Sequence, residues 1–566
     1  MLRRLLILIT LIIIIAPRCF SQNISNDIRL REIINKNGQA EVTLPYSGKQ
    51  TTDLLTRNVS ILSVNDKIIH ISLSPRTLEW FLIQKYDYLI SERPETKGIT
   101  PAADINQAML WDTYPTYSQY DSIMLSFKTL YPGLCHLDTI GTSVNGKLIL
   151  ALKISFNAAI EEDEPEVFYT SSIHGDETGG FILMLRLADY LLKNYQTNSR
   201  VKNLVDNLEI WINPLSNPDG TYRNGNTIIS PTRFNANGID LNRNFPDPIT
   251  PNTVKQKETL DMIKFLRKHK FVLSANFHSG SEVVNYPWDR WLSKPHADDS
   301  WFNSIGRAYA DTAHAYGGSA YMNERDNGVT RGALWYIIYG GRQDFVTWEL
   351  QGREMTIELD DQYVTPAAQL TLLWQNNWRS MLGLLENALY GIHGLVINSK
   401  TSLPVDAKIF ITGHDIDSSQ VYSDTLLGSF VRFLSPGSWN LTFSANGYVD
   451  TTVTNISVVA GQRTDIQVKL APVTPKIDTT IARSPVLYPN PATSELNVLL
   501  PDLISGTVNI RIYDQTGKLE MDYNSLVGQG VPLLINISGL GSGSYSVVFT
   551  DKRTRTLCYG RFIVIK

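Results

Sequence analysis

The sequence predicts an α/β catalytic domain, a mixed, mostly parallel sheet flanked by helices. Two all-β sandwich modules follow it, and a small α+β segment precedes it. Three observations carry this. Between about residues 109 and 390, apolar runs of strand length alternate with helical patterns, the rhythm of a sheet covered on both faces. From Gly391 onward the texture changes to short alternating runs separated by turns. A chain of 566 residues also exceeds what one hydrophobic core supports.

Residues 1–21 read as a secretory signal peptide. Arg3 and Arg4 form the charged start, and Leu5–Ala16 is an apolar stretch of only twelve residues, short for a bilayer span. Cleavage is expected before Gln22; the alternative, lipid attachment at Cys19, lacks the usual flanking residues. No later segment is apolar enough to form a transmembrane anchor. Residues 22–107 are expected to form either a small α+β domain or a pro-segment that covers the active site until removed. Within them Val59–Val64 and Lys67–Ser72 alternate like strands around Asn65-Asp66, Ser74 is placed to cap a helix over Pro75–Lys85, and Glu92–Asp104 reads as a linker.

The catalytic domain is expected over 108–390. Strand-like runs are Leu148–Ile154, Glu166–Tyr169, Leu208–Ile212, Val272–Phe277 and Met355–Leu359. Helical patterns are Tyr117–Thr129, Phe181–Lys193, Thr253–Lys268 and Pro366–Leu389. The stretch SSIHGDETGG at 171–180 lies where a strand hands over to a helix. His174 and Glu177 there can converge on one point, and an imidazole with a carboxylate suits zinc, which also needs a third protein ligand and a water. His278, ending the apolar run of FVLSANFHSG, is the best candidate. Sites in such sheets lie beyond the carboxyl ends of strands, where both histidines fall.

Net charge of −4 is small for this length and gives no reason to expect nucleic acid as a partner. Of three cysteines, Cys19 lies in the signal segment, while Cys135 and Cys558 fall in different predicted domains, so neither a disulfide framework nor a cysteine metal cluster is expected.

The motifs then accumulate in order: HGDE, NPDG, R-x-N-x-N-G-x-D-L-N-R-N-F-P, the H-S strand end, YPWD, LWY, GGRQDF and TIEL. In these the chain resembles the zinc carboxypeptidases, most of all the branch of carboxypeptidases N, E and D. The resemblance implies one zinc ion on His174, Glu177 and His278, and a general base at Glu358. Glu349 in TWEL is a local look-alike, but the family's spacing of fourteen residues is met by Asp344 and Glu358. It further implies Arg233 as the oxyanion stabiliser and Asn242 with Arg243 as the clamp for a free C-terminal carboxylate. Tyr336 would close over the substrate. Asp289 and Gln343 match the polar pocket with which that branch holds a basic side chain, so removal of C-terminal Lys or Arg from peptides or proteins is expected. The alternatives are a peptidoglycan-peptide hydrolase on the same scaffold and a catalytically inactive surface binding protein.

Residues 391–471 resemble the transthyretin-like sandwich that follows the catalytic domain in that branch. Six strand runs are expected: Gly394–Asn398, Ala407–Thr412, Ser429–Leu434, Trp439–Ser444, Asp450–Val458 and Thr464–Leu470. Residues 472–484 read as a linker. Residues 485–566, opening on LYPNPAT, resemble the C-terminal sorting domain of the type IX secretion system. That implies the type IX machinery as a partner, export across the outer membrane, and a secreted or cell-surface location.

Overall fold

The computed structural model describes residues 26–91, 99–250, 254–473, 484–501, 504–551 and 556–566. The signal-peptide segment lies outside these residues, as do 92–98 of the first expected linker and 474–483 of the second. The chain divides into two compact units, Met1–Pro472 and Val473–Lys566.

The first unit begins with a helix over 26–37 and a four-stranded sheet. Its strands are β1 (Ala40–Pro45), β2 (Ser60–Val64), β3 (Ile68–Leu73) and β4 (Leu89–Ser91), in the order β2-β3-β1-β4. The β2–β3 turn is set by Asn65, whose side-chain oxygen accepts the N–H groups of Lys67 and Ile68. The helix expected from Pro75 starts only at Leu78 and ends at Ile83. Ser74 accepts from the Arg76 N–H two residues on, so its hydroxyl closes a turn and is spent before a helix begins. This segment has its own apolar core, with Leu30, Ile34, Val42, Ile61, Ile71 and Phe81 buried.

The central sheet has eight strands: β5 (Cys135–Thr142), β6 (Leu148–Ile154), β7 (Glu166–Ser171), β8 (Glu209–Asn213), β9 (Phe271–His278), β10 (Ser281–Tyr286), β11 (Val329–Arg331) and β12 (Arg353–Asp360). Their order is β11-β10-β12-β9-β7-β8-β6-β5. The four middle strands, β12-β9-β7-β8, run parallel, while β10 and β6 flank them antiparallel. The parallel strands are buried on both faces. Val167 and Tyr169 of β7 join the core beneath helices Gly179–Asn194 and Leu370–Glu386, and Phe168 joins the opposite core beneath helix Lys257–Lys268. Continuous apolar runs are the sequence mark of strands covered in this way. Among the elements that escaped the sequence reading are β5, β10 and helix Asp299–Gly317. Strand β5 carries polar residues at an edge, β10 is half of an antiparallel pair interrupted by asparagine and glutamate, and helix Asp299–Gly317 is too rich in small and polar residues to show a clean apolar stripe.

Residues 391–470 form two further sheets, β16-β13-β19 and β15-β14-β17-β18. Their strands are β13 (Gly391–Asn398), β14 (Lys408–Phe410), β15 (Val421–Tyr422), β16 (Ser429–Arg432), β17 (Gly437–Ser444), β18 (Thr451–Val458) and β19 (Arg463–Leu470). They enclose a core of Ile392, Val396, Ile409, Leu441 and Phe443. This module is tied to the catalytic sheet by a buried ion cluster. Asp298 receives Arg353 of β12 at 2.7 Å, Arg432 of β16 at 2.6 Å and His414 at 2.8 Å, and Arg432 also reaches Asp415 at 2.5 Å. Trp301 stacks on Phe433 beside it, with ring centroids 4.8 Å apart.

The second unit holds the sheets β20-β21-β24 and β23-β22-β25-β26. Their strands are β20 (Val486–Tyr488), β21 (Glu495–Leu499), β22 (Gly506–Asp514), β23 (Leu519–Val527), β24 (Leu533–Asn536), β25 (Gly543–Thr550) and β26 (Thr556–Val564). The β22–β23 turn is built by Asp514, which accepts from the Thr516 and Lys518 N–H groups, and by Gly517 at φ 89°.

Removing one partner of a buried ion cluster leaves uncompensated charge, which costs about 3–5 kcal/mol. Asp298→Ala is therefore expected to lower the stability of the first unit by about that amount in urea unfolding. Asp465→Ala, which breaks the exposed Arg463–Asp465 pair, should change it by less than about 1 kcal/mol.

Candidate active site

Three loops meet beyond the carboxyl ends of the parallel strands. The one after β7 carries His174 and Glu177. It approaches the NPDG turn after β8 so closely that a Cβ on Gly175 would lie 2.3 Å from the Gly220 carbonyl carbon. Glycine is required there by contact between two backbones. Gly220 in turn packs on the carbonyls of Thr232 and Phe234, which sets the loop that carries Arg233. The Asn217 side chain accepts from the Gly220 N–H at 3.0 Å and reaches the Ile173 and Arg233 carbonyls at 3.3 Å. NPDG is thus the joint that holds the first and third loops together.

His278 ends β9, and its nearest strand neighbour in register on β12 is Glu358. The ring nitrogens Nδ1 of His174 and His278 lie 3.1 Å apart, and each is 2.7 Å from one oxygen of Glu177. All three side chains are buried, and their ligand atoms lie within 4.8 Å of one another. Four ligands at the 2.0–2.1 Å bond lengths of zinc would sit roughly 3.3 Å apart, so this donor set fits a zinc ion in type and spacing. The far nitrogens are engaged as metal-ligating histidines require. His174 Nε2 faces Asp240 at 3.1 Å. His278 Nε2 meets the Asn276 amide at 2.8 Å, and Asn276 is itself 3.0 Å from the Thr170 hydroxyl. In the structure the Asn276 NH2 faces Nε2 and its oxygen accepts from the Thr170 hydroxyl; the same amide turned over would accept the Nε2–H of a histidine that binds metal through Nδ1.

Arg233 is buried against this group. It lies 2.9 Å from Asp240 through Nε and 3.3 Å from Glu177 through Nη1. Burial alone would raise the Glu177 carboxyl, but the charges of His174 and His278 outweigh it and hold the group far below the ordinary range. Glu358 goes the other way: burial, then the nearby Glu177 charge, push it well above the usual carboxylate value. Asn242 accepts from the Arg342 N–H at 2.9 Å through its oxygen, which leaves its NH2 for a ligand. Arg243 reaches the Tyr336 hydroxyl at 3.5 Å.

On the far side of the cleft, one oxygen of Asp289 accepts from Asn285 and from Gln343, both at 3.1 Å. The remaining amide oxygens of Asn285 and Gln343 are buried and have no hydrogen-bond partner. Burial pushes the Asp289 carboxyl up to about 6. Arg290, its chain neighbour, turns away to Asp247 at 3.4 Å and lies over the Tyr339 ring.

All ten residues singled out from the sequence line this one cleft except Gln343, which reaches it through Asp289. Glu349 does not approach it and pairs with Arg267 on the surface. Sequence reasoning missed Asp240, Asn276 and Asn285. Asp240 stood inside a quoted motif. Asn276 shares a strand face with His278 through the two-residue period, which would have exposed it. Among the described residues, two other histidine or carboxylate groups are spaced like ligands. That of Asp298, His414 and Asp415 is already neutralised by Arg353 and Arg432.

A parallel-centred sheet bearing two histidines and a glutamate at its strand ends, with arginines facing them, has the residue set of a metal-dependent hydrolase. Residues 120–380 match the model of the zinc carboxypeptidase family, and residues 486–565 match that of the secretion system C-terminal sorting domain. The carboxypeptidase N catalytic chain of Homo sapiens is 32% identical over 389 residues, covering 60% of this chain and 82% of that one. Carboxypeptidase D of Drosophila melanogaster is 31% identical over 408 residues, covering 68% of this chain but only 29% of its own length. The chain thus spans less than a third of the carboxypeptidase D relatives it matches. Among solved structures, carboxypeptidase A from Helicoverpa armigera aligns at 17% identity and a TM-score of 0.48, covering 62% of this chain and 98% of that one. The chain belongs to the zinc carboxypeptidase family, whose members are zinc enzymes, and it carries a sorting domain of the kind that directs export to the cell surface or medium. No helix among the described residues is long and apolar enough to cross a membrane.

Loss of an outer partner of a metal-bound histidine typically costs about 10–100-fold in metal affinity. Asn276→Leu is expected to weaken zinc binding by that factor in a competition titration, and Glu177→Ala to abolish it, while Glu349→Gln should leave it unchanged.

Proposed function

We propose that the protein is an exported metallocarboxypeptidase that removes C-terminal Lys or Arg from peptides or proteins. The observation that carries this is one cleft with a metal-ligand set at one wall, an Asn–Arg pair at the next and a buried acid at the far end. Zinc held by His174, Glu177 and His278 would supply a water acidic enough to attack a peptide carbonyl at neutral pH.

The chain's own residues supply the rest. Glu358 takes the proton of the attacking water on its carboxylate and passes it to the departing amine. Burial and the nearby Glu177 charge raise its affinity for protons. The Arg233 guanidinium, held by Asp240, faces the carbonyl oxygen as negative charge builds on it. Arg243 and the Asn242 NH2 grip the free carboxylate of the substrate, a planar fork against a planar anion. Tyr336, in reach of Arg243, closes over the bound end. At the pocket floor Asp289, one oxygen held by Asn285 and Gln343, keeps the other as an acceptor, and Asn285 beside it has a buried amide oxygen with no partner. A cationic side chain with several N–H donors satisfies both, whereas an apolar one would leave buried acceptors unpaired.

The same floor disfavours a peptidoglycan-peptide hydrolase, and the complete set of ligands, base and arginines disfavours an inert scaffold. The N-terminal leader would start export and the C-terminal domain would complete it through the type IX machinery.

Glu358→Gln should keep one zinc per chain and lower kcat by about 10²–10⁴-fold on a peptide ending in Arg. Zinc retained with undiminished turnover would rule out Glu358 as the base. Asp289 must be ionised to pair with a basic side chain. Because its carboxyl titrates near 6, the neutral form prevails below that pH, so KM for Arg-ended peptides should rise as pH falls through about 6. A peptide ending in Phe should show no such rise, and Asp289→Asn should remove it.

A further inference from the structure

We infer that the groove between the catalytic sheet and the sandwich is a second binding site, one for a free basic amino acid, the product of the proposed reaction; only the link to that reaction rests on the carboxypeptidase reading. A cavity of about 390 Å³ lies in this groove, within the roughly 300–1,000 Å³ of pockets that hold small molecules. One wall is the segment 161–166, which leads into β7, together with Lys270, just before β9. The other wall is formed by β13, β16 and β19 of the sandwich. Lys270 precedes β9 and His278 ends it, eight residues on; at about 3.3 Å per residue the cavity and the metal ligands lie roughly 26 Å apart, at opposite ends of the strand. An occupant here leaves the cleft open to substrate.

The lining calls for positive charge. Seven carboxylates stand against two bases, Lys270 and Arg463, an excess larger than the net charge of the whole chain, −4. Arg463 is already paired with Asp465 at 2.8 Å. Lys153, whose charge reaches Glu164, is spent on Glu209 at 2.5 Å and on the Ile160 carbonyl at 2.9 Å. Burial pushes the Glu164 carboxyl up to about 7, and the charges of Glu162 and Glu209 add to it. A carboxyl in that condition gains from a counter-charge. His393 of β13 lines the same cavity and is 3% exposed. Its Nε2–H goes to the Tyr390 carbonyl at 3.1 Å, which makes Nδ1 an acceptor.

The lining also keeps one place for an anion. The Lys270 amine makes no hydrogen bond or ion pair among the described residues. Glu166 does not satisfy it, because its oxygens take the Lys270 backbone N–H at 2.7 Å and His269 Nδ1 at 3.1 Å. Burial lowers the amine only to about 8, so it is charged at neutral pH. Leu395, Leu427, Val431 and Ile466 give the cavity an apolar surface for methylene groups. Free lysine and arginine carry a carboxylate for Lys270, an aliphatic stem and a cationic tip for Glu162 and Glu164. Their α-ammonium adds a second positive charge, which a chain-end residue lacks.

The test uses the zinc-loaded full chain in a background of Arg243→Met with Asp289→Asn, which removes from the cleft the groups proposed to hold a carboxylate and a basic side chain. Binding of L-arginine is followed by titration calorimetry. The background chain is expected to bind one equivalent. L-citrulline, of similar shape but neutral at the tip, and L-argininamide, which lacks the carboxylate, should bind about tenfold or more weaker, the worth of one charged hydrogen bond. Glu162→Gln with Glu164→Gln, and separately Lys270→Met, should weaken arginine by a similar factor. Placed in the otherwise unchanged chain, the same substitutions should leave kcat/KM for a peptide ending in Arg as it was, which shows that the variants fold. No binding by the background chain, equal affinity for citrulline, or undiminished affinity in both cavity variants would overturn the site. A peptide ending in Arg that binds the background chain as tightly as free arginine would overturn the free amino acid as occupant. Arginine held in the cavity of a chain that, unsubstituted, releases no C-terminal residue would uphold the site and sink the carboxypeptidase reading.

Discussion

The pairing of β9 with β12 puts His278 next to Glu358 across one parallel register. A slip of one residue in either strand would turn one of these side chains to the opposite face. The pairing of β9 with β7 then brings the loop after Ser171 to the same edge, and with it His174 and Glu177. Backbone hydrogen bonds between buried apolar strands therefore set distances among polar groups that have little freedom of their own. Both cores, one on each face of these strands, hold that register in place.

The site also meets a severe electrostatic condition. Two imidazoles, two carboxylates and a guanidinium share a region shielded from bulk solvent, with His174, Glu177, Arg233, Asp240 and His278 all buried. Charges so placed persist only when paired and hydrogen-bonded. Asp240 meets much of this demand, touching His174, Arg233, Ser60 and the Asn242 N–H at once. A divalent cation among the three ligand atoms would replace the contacts that Glu177 now makes with both rings. Asp298 plays a comparable part at the sandwich, where one carboxylate answers two arginines and a histidine. Two buried aspartates thus bind neighbouring modules of the first unit to the central sheet, one near the catalytic loops and one behind it.

Some of this was legible in the chain. The middle strands announced themselves because burial on both faces favours apolar residues at successive positions, as in Val167-Phe168-Tyr169. His174, Glu177 and His278 were identifiable because ligand chemistry limits the residue types and because each stands at a strand end. Edge strands such as β5 and the antiparallel β10 were not, since one polar face or a neighbour of opposite direction erases the pattern. The Ser74 start was misplaced because a serine hydroxyl serves a turn as well as a helix.

The amino-acid sequence by itself determined the apolar strands, the glycines that let two loops touch, and the set of groups capable of zinc and carboxylate chemistry. These are local matters of residue type and short spacing. The tertiary structure alone decided that Gln39, Ser60 and Leu62 face the catalytic loops, that Arg290 turns to Asp247 and leaves Asp289 to its amides, and that Asp298 joins the sandwich to the sheet. Apart from Asn285 with Asp289, those pairings span tens to hundreds of residues. Their partners are chosen by which surfaces the packed layers bring together, and no periodicity along the chain records that choice.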